Sequence, residues 1–91
     1  MSDDERNDAA IDVEFEVTDG RRVLRLSTGD RSAVLVQDVT GYSMISVGRS
    51  VKGPELERYY GLDMAIDHAA ELLDVAPSTV PIPEEARSMG M

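Results

Sequence analysis

The sequence predicts a small α+β domain: a four-stranded antiparallel meander sheet followed by one C-terminal α-helix packed on one face (ββββα). Three observations carry this. Residues 11–17 alternate strictly between apolar and acidic side chains, the period of a half-buried strand. Asp19-Gly20 follows, the dipeptide that favours a two-residue type I′ hairpin turn. Residues 62–75 then change to helical periodicity, with Leu62, Ile66, Ala69, Leu73 and Ala76 on one side and Asp63, Asp67, Glu71 and Asp74 on the other.

The first strand carries Ile11, Val13, Phe15 and Val17 on one face and Asp12, Glu14 and Glu16 on the other. If Asp19 and Gly20 are the loop, the register follows. Thr18 faces Arg21, Val17 faces Arg22, Phe15 faces Leu24 and Val13 faces Leu26. The large apolar residues then share a face, and Glu14 meets Arg25 on the other as an opposite-charge pair. A one-residue slip destroys both matches. The hairpin is expected over residues 10–18 and 21–28.

Residues 27–32 (STGDRS) form a turn cluster. The third strand, 33–39, is apolar on both faces over its first four residues, as in a central strand covered on both sides. A turn at Thr40-Gly41 leads to a fourth strand and sets Val36 opposite Ile45 and Val34 opposite Val47. Leu35, Val39, Tyr42 and Met44 then fall on the second face with Val23. That face is too apolar to stand open to water. Residues 48–61 are a connection broken by glycine and proline, with a short strand or a helical turn near Glu55–Tyr60. Pro77 is expected to stop the helix. Residues 10–76 are thus read as one domain, residues 1–9 as a disordered acidic tail, and residues 77–91 as an extended or disordered tail.

Composition bounds the setting. The 91 residues carry 18 Asp and Glu against 9 basic residues, a net charge of −9, with no cysteine. Eight of the bases are arginine, and Lys52 is the one lysine. Dense carboxylates hold water and hydrated cations, and a strong negative charge keeps a protein soluble where salt screens repulsion. The N-terminal MSDDERNDAA lacks the apolar stretch of a signal peptide. No apolar run approaches the roughly 20 residues that span a bilayer. A soluble cytoplasmic protein without membrane contact is expected. A domain this small buries only about 60% of its unfolded surface. Lacking disulfides, it is expected to gain stability as a homodimer.

Few residues carry chemistry. His68 lies beside Asp67 and three before Glu71, but one helical turn does not complete a metal site. Asp63, Asp67 and Glu71 form a carboxylate ladder that reads as a solvated helix face. There is no cysteine, no G-x-S-x-G and no phosphate-binding glycine loop. No catalytic residue, no metal and no cofactor is assigned, and the protein is expected not to be an enzyme.

Charge is unevenly distributed along the chain. Residues 20–61 hold Arg21, Arg22, Arg25, Arg31, Arg49, Lys52 and Arg58 against Asp30, Asp38, Glu55 and Glu57, while both flanking segments are strongly acidic. One reading is a surface for an anionic partner, with Arg21, Arg22, Arg49, Lys52 and Tyr60 as candidate anion or nucleic-acid contacts. The other is that these arginines pair with acids of neighbouring strands. Of Tyr59 and Tyr60, adjacent and pointing opposite ways, one packs under the helix and the other is exposed. The candidate dimer interface is Val23, Leu35, Val39, Tyr42 and Met44.

The lysine-poor, aspartate-rich composition resembles that of small haloarchaeal proteins of uncharacterised families. The resemblance is compositional and carries no residue roles. The order of four strands and a helix is similar to the general plan of the single-strand-binding coactivators, a resemblance of topology alone. The function expected is that of a small non-enzymatic interaction or regulatory protein of a halophile, acting through macromolecular association. The alternative is a nucleic-acid-binding module using the basic segment 21–58.

Overall fold

The computed structural model describes residues 11–39 and 44–89. It is an α+β fold whose sheet has five strands in sequence order. These are β1 (Asp12–Thr18), β2 (Arg21–Thr28), β3 (Arg31–Asp38), β4 (Ile45–Gly48) and β5 (Glu55–Tyr59). Helix α1 (Leu62–Leu73) follows, then two short 3₁₀ turns at Pro77–Thr79 and Glu84–Ser88. The expected acidic tail at residues 1–9 lies outside the described residues, as does the turn at Thr40-Gly41.

The first hairpin has the expected register, with Phe15 opposite Leu24 and Glu14 opposite Arg25. Asp19 and Gly20 have φ of 53° and 76°, the two positive values that a type I′ turn requires. The second hairpin is as tight. Thr28 pairs with Arg31, so Gly29-Asp30 is the whole loop. Gly29 has φ of 59°, and glycine at the first central position is the mark of a type II′ turn.

The third pairing differs from expectation by one residue. Leu35 is opposite Val47, Val34 opposite Gly48 and Val36 opposite Ser46. The shift turns every β4 side chain to the other face relative to β3. Its effect is to place Leu35, Ile45 and Val47 on one face with Leu24 and Leu26, all of them nearly or fully buried. Leu35 is therefore core rather than dimer interface.

A fifth strand forms where the sequence allowed either a strand or a helical turn. Gly48 marks the bulge at which β5 returns. A side-chain carbon at Gly48 would lie 3.0 Å from the Pro54 carbonyl oxygen, a crowded contact that would push that backbone aside by a few tenths of an ångström.

Helix α1 packs on the face of Leu24 and Leu35, chiefly over β3 and β4. Ala65, Ile66, Ala69, Ala70, Leu72 and Leu73 are buried against the sheet, while Asp63, Asp67, Glu71 and Asp74 stand in solvent. The helix ends two residues earlier than expected, and Ala76 is exposed. Asp74 takes the left-handed conformation (φ 61°, ψ 47°). The amides of Asp74 and Val75 bond the carbonyls of Glu71 and Ala70 at 3.1 and 3.0 Å. This is a Schellman ending, so backbone geometry stops the helix before Pro77 is reached.

Residues 77–89, expected to be an extended or disordered tail, are packed. Val80, Ala86 and Met89 are buried in the same cluster as α1 and the sheet, with Ile82 against it. The prolines that suggested disorder instead start compact turns: Pro77 opens the first 3₁₀ turn and Pro83 caps the second. Among the described residues no helix is long and apolar enough to cross a membrane.

Candidate association surface

The strand registers define the uncovered face of the sheet. Directly opposed residues share a face, so each ladder can be read across the five strands. One row runs Glu16, Val23, Val36, Ser46, Arg58. The next runs Glu14, Arg25, Val34, Gly48, Glu55. Beyond them lie Thr18, Arg21 and Asp38 at one end and Asp12, Ser27 and Ser32 at the other. The floor is valine and small residues. The β1 margin is acidic, and the β5 margin carries Arg58 and Glu55.

The centre of this face is a trough. Arg21, Val36, Asp38, Met44, Ser46, Glu55 and Arg58 line a depression of about 440 Å³. It continues past Val34 and Gly48 to the Ser50–Pro54 loop. At that end Val51 and Lys52 stand beside Arg25 and Val34. Ser50 closes the loop by accepting from the Gly53 amide at 3.0 Å on its Oγ. Ser32 Oγ ties the loop's base down by donating to the Arg49 carbonyl at 2.8 Å.

Two arginines on this face are neutralised in place. Arg25 Nη1 is 2.7 Å from Glu16 Oε2, so its ion pair is diagonal and not with Glu14 directly opposite. Arg58 Nε is 2.5 Å from Glu55 Oε2, a contact that raises the guanidinium pKa above its ordinary value. These exposed pairs are each worth little energetically. Their effect is on charge: they cancel two cations on the face.

The candidate anion contacts do not converge. Arg21 is on the open face, but Arg22 beside it points to the helix side, where its Nη1 donates to Gln37 Oε1 at 3.5 Å. Lys52 stands at the trough's loop end, Arg49 follows β4 in solvent, and Tyr60 is 75% exposed past the end of β5. Of the expected dimer residues, Val23 is on the open face but only 3% exposed. Glu16, Arg21 and Arg25 flank it, and their aliphatic stems are suited to cover it. Met44 lines the trough, and Val39 is partly exposed where its amide bonds the Gly20 carbonyl at 2.9 Å. Tyr42 lies outside the described residues. Arg58, Glu55 and Ser46 were not singled out from sequence, although alternation along ELERY would have put Arg58 opposite to Tyr59.

A family model matches residues 5–91. The chain belongs to DUF7111, a family of unknown function. No curated protein and no solved structure matches it.

The one histidine of this DUF7111 chain is used on the other side of the sheet. Tyr59 of β5 meets His68 of α1, hydroxyl to Nδ1 at 3.1 Å with the rings edge to face at 5.8 Å. Burial, then the charges of Glu57 and Glu71, push the Tyr59 phenol pKa up. The contact fastens the edge strand to the helix. Met64, Asp67 and Glu71 border it in a shallow groove. Tyr59 is thus the tyrosine that packs and Tyr60 the exposed one. No group of three or more histidine or acidic side chains is placed to hold a metal among the described residues.

Proposed function

We propose that this protein is a non-enzymatic association module of a salt-adapted cytoplasm, and that it acts as a homodimer through the open face of its sheet. The observation that carries this reading is the one-sided cover. Helix α1 and the C-terminal segment cluster with Leu24, Leu35 and Val47, while no described helix or strand packs over Val34, Val36 and Ser46. Val23 and Val34 on this face are nearly buried by their neighbours, and half-buried Val36, Met44 and Ser46 are the part of it left for a partner. The β1 margin is acidic, with Asp12, Glu14 and Glu16, while the β5 margin carries the Arg58–Glu55 ion pair and Lys52 stands at the loop end of the trough. A two-fold dimer is the commonest way to cover a face left open on one side of a sheet.

The non-enzymatic reading is supported by how the titratable groups are used. His68 is engaged with Tyr59, and the carboxylates of the open face are exposed, without the burial that tunes a catalytic acid. Nucleic-acid binding has less support. It needs several free cations on one surface. Here Arg25 and Arg58 are paired with acids, and Arg22 faces away.

Light scattering on the full chain at hundreds of micromolar in about 2 M KCl, where exposed charges are screened, tests the proposal. A dimer mass is expected. A monomer mass overturns it.

A further inference from the structure

We propose that the groove between β5 and α1, on the side of the sheet that the helix covers, receives an arginine side chain of a partner polypeptide. Tyr59, Met64, Asp67, His68 and Glu71 line this groove, whose volume is about 250 Å³. That is below the roughly 300–1,000 Å³ of small-molecule and cofactor sites. The groove suits one long side chain.

Its walls combine aromatic, thioether and carboxylate groups. The Tyr59 and His68 rings meet at 85°, held by the 3.1 Å contact between hydroxyl and Nδ1, and so form a fixed aromatic corner. Met64, one helical turn before His68, is 58% exposed and adds a polarisable thioether. Asp67 and Glu71 stand one turn apart on α1, with about 5–6 Å between their β-carbons. Their charge is not compensated within the described residues. Helix α1 has no lysine or arginine, and the ion pairs Arg25–Glu16 and Arg58–Glu55 lie on the opposite face of the sheet. Glu57 adds a third carboxylate from β5. After burial, the charges of Glu57 and Glu71 are what raise the Tyr59 phenol pKa, so both act on the corner where the ligand would sit.

A cation with a flat face matches these walls. A guanidinium stacks on an aromatic ring, and its planar fork bridges two carboxylates. A lysine ammonium is compact and strongly hydrated, and it gains less from the rings. A neutral side chain would leave Asp67 and Glu71 without a counter-charge. The groove is separate from the open face, so its occupancy does not depend on self-association.

Three probes test the proposal: the amides of acetylated arginine, lysine and citrulline, the last having the shape of arginine without its charge. Each is titrated into isotope-labelled full chain in the same KCl buffer, one that keeps the chain folded. Saturable shifts at the Met64 methyl and the Tyr59 and His68 rings are expected with the arginine probe. Binding of the lysine probe is expected to be about tenfold weaker, and that of the citrulline probe absent. Equal binding of arginine and lysine would reduce the groove to a counter-ion surface and overturn the proposal. Equal binding of citrulline would assign it to apolar contact, with the same consequence, as would no saturable shift at all. Asp67→Asn and Glu71→Gln change exposed groups, and each is expected to weaken the arginine probe about tenfold. Asp30→Asn, in the β2–β3 turn away from the groove, is expected to leave it unchanged. Equal weakening by Asp30→Asn would attribute binding to the field of the whole acidic protein and overturn the site.

Discussion

Leu35 of β3 stands directly opposite Val47 of β4, and neither exposes any surface. The pair decides which face of the sheet is core. Leu35→Ala should cost about 2–5 kcal/mol, since a fully buried leucine leaves a cavity. Val36, next along β3 but on the open face and only partly buried, should cost distinctly less when replaced by alanine. Urea unfolding midpoints compare the two. A larger loss at Val36 than at Leu35 would mean the register is the one-residue alternative.

That alternative shows where sequence reasoning stopped. The first hairpin was legible because two independent signals agreed, an Asp-Gly turn and a strict alternation in which only one register matched apolar to apolar. The β3–β4 pairing was not. Ala33-Val34-Leu35-Val36 is apolar on both faces, so either register matches valine or leucine to an apolar partner, and a weak turn signal had to decide. One residue of error put Leu35 on the wrong face and enlarged the expected patch. The helix was legible from its period, but its end was set by the left-handed Asp74 rather than by Pro77. The C-terminal segment was missed because its apolar residues, Val80, Ile82, Ala86 and Met89, follow no regular period and are interleaved with prolines. The charges of the open face were visible singly. Their arrangement depended on the register and could not be read without it.

The C-terminal segment should contribute to stability. Met89 is buried in the main cluster with Ala86 and Val80. Met89→Ala should destabilise by about 2–5 kcal/mol, and a chain ending at Ala76 should lose the contribution of all three. Thermal melts of both variants check this. A truncated chain that melts at the same temperature as the full one would show that the segment packs without stabilising.

Tyr59 gives an alkaline signature. Its phenol pKa is raised above the ordinary value of 10.0, by burial first and then by Glu57 and Glu71. A raised pKa means that the folded state favours the neutral phenol. The stability this adds is fully present below the unfolded pKa and is lost as pH rises through the folded one. The protein should therefore lose more stability between about pH 9 and 11 than Tyr59→Phe does. The difference between the two proteins isolates this tyrosine from other alkaline titrations. Parallel curves for the two would contradict the assignment.

The proposed salt adaptation predicts a melting temperature that rises with KCl. The chain carries net −9 in 91 residues, and several acids, among them Asp63, Asp67, Glu71 and Asp74 along α1, are exposed. Screening relieves their mutual repulsion over a distance of about 10 Å at 0.1 M and about 3 Å at 1 M. Melting that is unchanged between about 0.1 M and 2 M KCl would refute the adaptation while leaving the fold intact.

The central claim is that the open face of the sheet is where copies of this protein meet. Dilution of isotope-labelled protein from millimolar to micromolar, followed by amide chemical shifts in high salt, addresses it residue by residue. Shifts concentrated at Val34, Val36, Ser46 and Arg58 are expected, with Ile66 and Ala69 on the sheet-facing side of α1 unmoved. Shifts confined to α1, or none over the whole range, would contradict it.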